Sequence, residues 1–345
     1  MNTENLSSTL VSSGLPPAAA TRPRRSSAGA GSLLKWAVVP ILAALAIAPI
    51  LANERFFLTV AVMVLINAIA AASLHLIIRI GHVSLAHAAF MGLGAYASVL
   101  TVTKLQLPFG VGVIAAFLCP AALALVIGPL VLRLTGKYFV LVTFLFGEIV
   151  RMVFVEWKSL TGGGNGIFGV PPPSPAFLDP KAFYYLSLGF AVVIIGFIAR
   201  ILTSEIGRAI DSIRESERLA ECSGVPVLRF KVVVFVLGCG LAGIAGALQG
   251  HFVRYIDPTS FSMIQSLNLV VMNVIGGMYT LVGPMIGTIF LVVLPELLRG
   301  YVELQRVFFG IILIVVMAFL PGGLADAGKR VATLAEKRFG ARSRP

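Results

Sequence analysis

Apolar residues occur in long runs through most of this chain, and short polar or charged segments separate the runs. Each run is close to the roughly 20 residues that an α-helix needs to cross a bilayer. The pattern predicts an all-α fold, a polytopic transmembrane helical bundle of about ten spans. The predicted spans are residues 33–52, 56–78, 86–103, 110–132, 138–156, 182–201, 231–250, 262–278, 282–298 and 306–320.

Prolines and small residues inside these spans shape the predicted bundle. Proline removes a backbone hydrogen bond from a helix, so we expect some of the helices to be broken or kinked. Small residues recur four apart at Gly238, Ala242, Gly246 and Gly250. Such a face lets two helices approach closely in lipid, where the hydrophobic effect does little to drive helices together. The chain therefore predicts a tightly packed bundle with irregular helices.

The composition agrees with a membrane protein. Hydrophobic residues make up 58% of the 345 residues, charged residues only 12%, and the mean hydropathy is +0.95. Soluble domains average roughly 45–50% apolar and 25% charged residues, so the water-soluble globular class is excluded.

The net charge of +12 comes from basic residues in short loops and tails, so we expect no nucleic-acid partner. With a cytoplasmic N-terminus, 19 of the 27 lysines and arginines fall on the cytoplasmic side. Cytoplasmic loops carry such an excess. We expect a multi-pass protein of the bacterial inner membrane, surrounded by lipid, with both termini in the cytoplasm.

Three regions follow from these patterns. Residues 1–32 are rich in Ser, Ala, Pro, Gly and Arg, and such a composition predicts a disordered cytoplasmic tail. Residues 33–325 form the predicted transmembrane domain, which contains a charged loop at residues 202–230. Residues 326–345 form a basic cytoplasmic tail.

Two nucleotide-binding patterns in the chain lack the context that they need. Residues 164–169 match a dinucleotide-binding fingerprint, but three prolines follow where the phosphate-binding helix must begin. Residues 323–329 have P-loop spacing, but Arg330 replaces the Ser or Thr that would hold magnesium. The histidines and cysteines have neither metal-ligand nor disulfide spacing. We expect no catalytic residue, metal site or cofactor on this chain.

The charged loop carries the strongest functional signal. Ile206, Ile210 and Ile213 recur at i, i+4 and i+7 and form one narrow apolar stripe, which predicts an amphipathic helix over residues 204–221. Gly224 and Pro226 then provide a stop signal. The helix could fold back on its own membrane domain or lie on lipid. Five acidic residues against three arginines disfavour an anionic lipid surface, so we favour docking to a protein.

Polar residues inside the spans are candidates for a substrate pathway. Inserting an unpaired Glu148 in the middle of a span would cost roughly 2.5–3.5 kcal/mol. Arg151 lies three residues later, on the same helix face. A structural ion pair and a polar pathway element are equally compatible with this spacing. Structural hydrogen bonding is the favoured role of the asparagines, and a helix break facing the bundle interior is predicted at residues 81–87. The candidate pathway residues are Asn67, Ser84, His87, Glu148, Arg151, Thr161, Gly162, Gly163 and Asn273.

The chain resembles the LivM-like permease subunits of branched-chain amino acid ABC importers. The similarity lies in Gly81 to His87, in Thr143 to Arg151, in Leu160 to Ile167, and in Gly207, Arg208 and Ala209 with Ala220 and Gly224. These stretches are spread over most of residues 60–300. Each stretch alone is weak, but their combination is specific for the family.

The resemblance implies a second homologous permease, two cytoplasmic ATPase subunits that bind ATP and magnesium, and a periplasmic substrate-binding protein. This chain would lack its own ATPase site and would import branched-chain or related amino acids, or urea, amides or small aromatic acids. The charged loop would be the coupling helix seated in an ATPase groove. The residues thus assigned to ATPase coupling are Ile206, Gly207, Arg208, Ile210, Ile213, Arg214, Glu217, Ala220 and Gly224.

An ion-coupled secondary transporter acting alone is the alternative function. Such a protein needs ionisable residues arranged as a relay near the middle of the membrane. Only Glu148 and Arg151 meet that requirement here, so the importer is the favoured interpretation.

Overall fold

The computed structural model describes residues 55–297 together with Gly310 and Ile314. The predicted tails and the predicted spans 33–52 and 306–320 lie outside the described residues, apart from those two positions. The long helices are α1 (Arg55–Arg79), α2 (His87–Thr103), α3 (Phe109–Val131), α4 (Lys137–Glu156), α6 (Pro180–Thr203), α9 (Val227–Val253), α10 (Met263–Gly276) and α11 (Val282–Leu297).

Shorter elements connect these helices. They are the helices α5 (Lys158–Thr161), α7 (Glu205–Glu215) and α8 (Glu217–Cys222), the strands β1 (Ile167–Phe168) and β2 (Tyr255–Ile256), and 3-10 turns at Gly163–Asn165, Pro175–Leu178 and Pro258–Phe261. The two strands pair antiparallel, with Ile167 opposite Ile256 and Phe168 opposite Tyr255.

The all-α polytopic fold is confirmed. Within the described residues, α1, α3, α4, α6 and α9 are long and apolar enough to cross a membrane, and α2, α10 and α11 are apolar but shorter. Eight of the ten predicted spans therefore coincide with apolar helices. The full number of ten stays a prediction.

Helices α1 and α9 lie at the centre of the described bundle. In α1 and α9, 61% and 67% of the most apolar segment is buried, against 22–28% in α3, α4 and α6. The buried residues of α2, such as Phe90 and Met91, belong to the same core. The less buried helices thus surround a core made by α1, α2 and α9.

Glycines allow α2 and α9 to pack backbone against backbone. A Cβ atom on Gly94 would overlap the backbone of Gly243, and one on Gly246 would overlap the carbonyl oxygen of Met91. The small-residue face predicted on α9 is therefore a true contact surface between helices, as expected where close approach supplies the packing energy.

We expect Gly246→Ala to lower the stability of the chain by about 1–3 kcal/mol, because the added methyl group overpacks a backbone contact. The measurement is the thermal unfolding midpoint of the detergent-solubilised protein. Gly196→Ala is the matched control, since a Cβ atom at this position in α6 meets nothing within 4 Å. Equal midpoints for the two variants would contradict the close contact.

The prolines of α3 do not break it. The helix continues through Pro120 and Pro129. Each proline removes one backbone hydrogen bond from the helix, and the neighbouring hydrogen bonds keep it continuous. The chain does break at residues 80–86, between α1 and α2, where the polar segment was predicted to interrupt the helices.

Candidate functional site

Contacts between loops place the helix ends in two groups. Arg79 at the end of α1, Asp211 in α7 and Tyr279 after α10 meet at one end of the bundle, which we call the ionic end. In the second group, Lys104 Nζ donates to the Ser159 carbonyl over 2.8 Å, and β1 pairs with β2. We call this group of contacts the glycine-loop end. Loops predicted to share a side of the membrane thus meet at the same end.

Arg79 joins three segments at the ionic end. Its side chain is 13% exposed and forms an ion pair with Asp211 of α7. Its Nη1 also donates to the Tyr279 carbonyl over 3.0 Å. The Arg214 guanidinium lies 5.3 Å from the centre of the Tyr279 ring, within the range of a cation–π contact. These contacts fix α7 to α1 and to the turn between α10 and α11.

Lys231 makes the second ion pair at this end. Its Nζ lies 2.6 Å from Glu217 Oε1 of α8, and the lysine side chain is only 3% exposed, against 42% for the glutamate. A buried ammonium group needs a partner because its desolvation is costly. Glu217 therefore holds α8 against the N-terminal part of α9.

The charged loop forms two helices where the stripe predicts one. Helix α7 ends at Glu215 and α8 begins at Glu217, because Ser216 takes an extended backbone with φ −163° and ψ 113°. The Ser216 hydroxyl then accepts a hydrogen bond from the Leu219 amide over 3.4 Å and caps α8. Gly224, with φ +82°, terminates the segment as predicted.

The predicted coupling residues divide between two faces of α7 and α8. Ile210 and Ile213 are buried against the chain itself, so the fold-back alternative is correct for that part of the stripe. Gly207 and Ala220 are also buried, and Arg214 and Glu217 contact Tyr279 and Lys231. The exposed residues of α7 and α8 include Glu205, Ile206, Arg208, Arg218 and Leu219, which are together called the loop face below, and Gly224 is likewise exposed.

The helix break at residues 80–86 faces the bundle interior, as predicted. Ser84 and His87 are fully buried. The His87 Nε2 lies 2.8 Å from the Ser73 hydroxyl of α1, and the Ser84 hydroxyl accepts from the Ala86 amide over 3.3 Å. Helix α2 therefore begins inside the bundle, beside α1.

The predicted ion pair of α4 is present. Arg151 Nε lies 2.8 Å from Glu148 Oε2, and the two side chains remain 29% and 26% exposed. A narrow crevice beside Glu148 is lined by Leu85 of the helix break and by Ser262 and Ser266 at the start of α10. The pair thus lies where α4, the break and α10 meet.

The predicted pathway glycines, Gly162 and Gly163, form a tight turn together with Gly166. Gly162, Gly163 and Gly166 have φ values of +78°, +66° and +73°, which favour glycine. A Cβ atom on Gly166 would overlap the Ile256 carbonyl oxygen of β2. The Thr161 hydroxyl bonds backbone carbonyls of Phe154 and Trp157. The turn is therefore packed on the chain itself.

Asp257 follows β2 and orders the neighbouring 3-10 turn. Burial raises the pKa of its carboxyl, but hydrogen bonds from the side chains and amides of Ser260 and Thr259 outweigh burial and hold that pKa below its ordinary value. The carboxylate is the form that accepts these hydrogen bonds. Asp257 therefore stays charged and braces the glycine-loop end.

The two asparagines join α1 to α10. Asn67 Oδ1 accepts from Gln265 Nε2 over 3.0 Å, and Asn273 Nδ2 donates to the Ala71 carbonyl over 3.0 Å. Their predicted hydrogen-bonding role is confirmed. The described contacts do not gather all nine pathway residues into one site, since Thr161 lies at the glycine-loop end and Asn273 near the opposite end of α10.

Comparison with known proteins decides the family. A family described as the permease component of branched-chain amino acid transport systems matches residues 56–317. The chain belongs to this permease family. The permease is 29% identical over 298 residues to the LivM permease proteins of Salmonella typhimurium and Escherichia coli, a match that covers 79% of this chain and 70% of each relative.

The permease also matches a second kind of relative. It is 30% identical over 123 residues to the LivH permease protein of Salmonella typhimurium, which covers 35% of this chain and 40% of that protein. Both relatives are named as permease proteins of a high-affinity branched-chain amino acid transport system. No solved structure matches the permease.

Proposed function

We propose that this permease is one membrane subunit of an importer that is driven by ATP hydrolysis on two partner ATPase subunits. The single observation that carries the proposal is the loop face, which presents Ile206 and Leu219, 45% and 69% exposed, on a charged segment outside the spans. Exposed apolar side chains surrounded by charges are typical of a protein contact. The buried residues and ion pairs of α7 and α8 hold this face in place.

The cargo proposed for the permease is a branched-chain or related amino acid, with urea, amides and small aromatic acids as further candidates. The names of the LivM and LivH relatives support the first class. A zwitterionic amino acid also suits Glu148 and Arg151, since an arginine binds a carboxylate and a glutamate accepts from an ammonium group. Delivery would come from a periplasmic substrate-binding protein.

The proposed setting is the bacterial inner membrane, with both termini and the ionic end in the cytoplasm. The excess of basic residues on that side supports this orientation. ATP and magnesium would bind the ATPase subunits, and this chain would supply no catalytic group. A second, homologous permease would complete the membrane domain.

Reconstitution tests the function and separates it from an ion-coupled transporter. The permease is placed in proteoliposomes with the second permease, the ATPases and the binding protein, and uptake of radiolabelled leucine is measured. The importer predicts uptake that requires ATP and continues when ionophores remove all ion gradients. Uptake by the permease alone, driven by an ion gradient without ATP, would establish the alternative.

The loop face yields a separate prediction. We expect the double variant Ile206→Asp, Leu219→Asp to bind the ATPases at least roughly 100-fold more weakly, because each of the two side chains contributes about 1.5–3 kcal/mol when buried. The measurement is copurification of the ATPases with the tagged permease. Leu178→Asp is the control, since this exposed side chain lies near the start of α6, at the opposite end. Undiminished copurification by the double variant would contradict docking at the loop face.

A further inference from the structure

Helix α4 has one buried face and one uncovered face. The buried face is formed by Phe139, Thr143, Val150 and Phe154. The opposite face, which we call the α4 stripe, consists of Leu141, Leu145, Glu148 and Met152. The stripe residues follow the spacing i, i+4, i+7 and i+11, which places them on one side of a helix. The three apolar members are exposed within the described chain.

The stripe carries a charge deep in the membrane. Glu148 is the twelfth residue of the 20-residue helix α4, roughly 16 Å along its axis at 1.5 Å per residue. The hydrocarbon core is roughly 30 Å thick, so Glu148 lies near its middle. A charged group facing lipid there would cost about 2.5–3.5 kcal/mol on insertion scales. Arg151 pairs with Glu148 but leaves it 26% exposed.

Two other peripheral helices show what a lipid-facing surface looks like here. The exposed large side chains within α3 are apolar, and so are those within α6 apart from Tyr185 near its beginning and Arg200 near its end. They include Ile114, Leu118, Leu125, Val126 and Leu130 of α3, and Val192, Val193 and Phe197 of α6. Lipid suits such surfaces, since its tails are as apolar as these side chains. The α4 stripe differs from both by its half-exposed ion pair.

We propose that the α4 stripe is the contact surface for the second, homologous permease subunit. The inference rests on the proposed function, which supplies that subunit. The chain resembles both LivM and LivH, two permease proteins named for one kind of transport system. Homologous subunits commonly pack about a two-fold or near two-fold axis through equivalent surfaces. Such packing shields Glu148 and Arg151 from lipid and places them at the boundary between the two subunits.

Site-specific photo-crosslinking in the intact complex tests the contact. The photoreactive residue p-benzoyl-phenylalanine replaces Leu141, Leu145 or Met152, one at a time, in permease coexpressed with its second permease and ATPases. Leu125 and Leu130 of α3 receive the same replacement as controls. Both side chains are exposed, and both residues lie in the second half of that helix. After irradiation in membranes, adducts are separated by mass and identified by peptide mass spectrometry.

The expected result is a mass shift equal to the second permease from the α4 positions and lipid adducts alone from the α3 positions. Three outcomes overturn the inference. The α4 positions could give lipid adducts alone, or they could give adducts to a second copy of this chain. They could also give adducts within this chain, for example to residues 1–54 or 298–345. Copurification of the second permease and the ATPases is scored in the same preparations. Their presence with any of those outcomes rejects the α4 contact alone, whereas their absence rejects the proposed function.

Discussion

Replacing Glu217 with lysine is expected to detach α8 from the bundle. The variant places a second positive charge beside the Lys231 ammonium group, which is 3% exposed and now has the Glu217 carboxylate as its partner at 2.6 Å. Breaking a buried ion pair from one side costs about 3–5 kcal/mol, because the remaining charge stays desolvated. The short helix can escape that cost by local opening, which leaves the transmembrane bundle folded. We therefore expect faster hydrogen exchange at the amides of α8 and loss of ATP-driven uptake.

Two matched variants separate this effect from a general change of charge. Glu221→Lys makes the same change on the same short helix, but Glu221 is exposed, so its amides should exchange as in the wild type. The double variant Glu217→Met, Lys231→Met removes both charges, and apolar replacement of a buried pair is often neutral or stabilising. If the α8 amides exchange no faster in Glu217→Lys than in Glu221→Lys, the ion pair does not hold α8.

The apolar helices among the described residues could be predicted from the sequence to within a few residues. The predicted spans 56–78 and 110–132 correspond to α1 (Arg55–Arg79) and α3 (Phe109–Val131). Hydropathy succeeds here because a backbone in lipid must satisfy its own hydrogen bonds, which leaves the helix as the available structure for an apolar run. Where the chain leaves the bilayer that constraint ends, and the turn at Gly163–Asn165 and the β1–β2 pair were not predicted.

The faces of the charged loop could be predicted only in part. The spacing of Ile206, Ile210 and Ile213 correctly indicated an amphipathic helix, but an apolar stripe does not reveal which surface covers it. Ile210 and Ile213 turned out to pack on the chain itself, and Ile206 remains exposed. The sequence contains a signal for amphipathicity and none for the identity of the covering surface.

The ion pairs at the ionic end escaped the sequence reasoning for a different reason. Glu148 and Arg151 were found because a helix brings residues three apart onto one face. Arg79 and Asp211 are 132 positions apart, and no local periodicity links them. Only the packing of α7 beside the end of α1 brings them together. Charged residues at span ends, such as Arg79 and Lys231, were visible but had many candidate partners.

Reversing the charge of Arg79 or of Asp211 is expected to uncouple uptake from ATP hydrolysis. Either single reversal, Arg79→Asp or Asp211→Arg, sets two like charges against each other where Arg79 is 13% exposed. Hydrogen bonds to charged groups contribute about 1.5–3 kcal/mol. In each single variant, the ratio of α7 packed on α1 to α7 detached from it should therefore fall roughly 10- to 100-fold. We expect complexes that contain either single variant to hydrolyse ATP on the proposed ATPase subunits with little uptake, because the loop face is no longer held to α1.

The double variant Arg79→Asp, Asp211→Arg restores the ion pair in reversed order and should recover much of the uptake. Recovery should be incomplete, since the introduced carboxylate would face the Tyr279 carbonyl that Arg79 Nη1 now donates to over 3.0 Å. Leucine uptake per ATP hydrolysed, measured in proteoliposomes, checks both statements, and the coupling energy of the cycle should fall within about 0.5–3 kcal/mol. A double variant as poor as the worse single variant would show that the two residues act separately. Mutual rescue would instead show that the two residues act through their contact between α7 and the central helix α1.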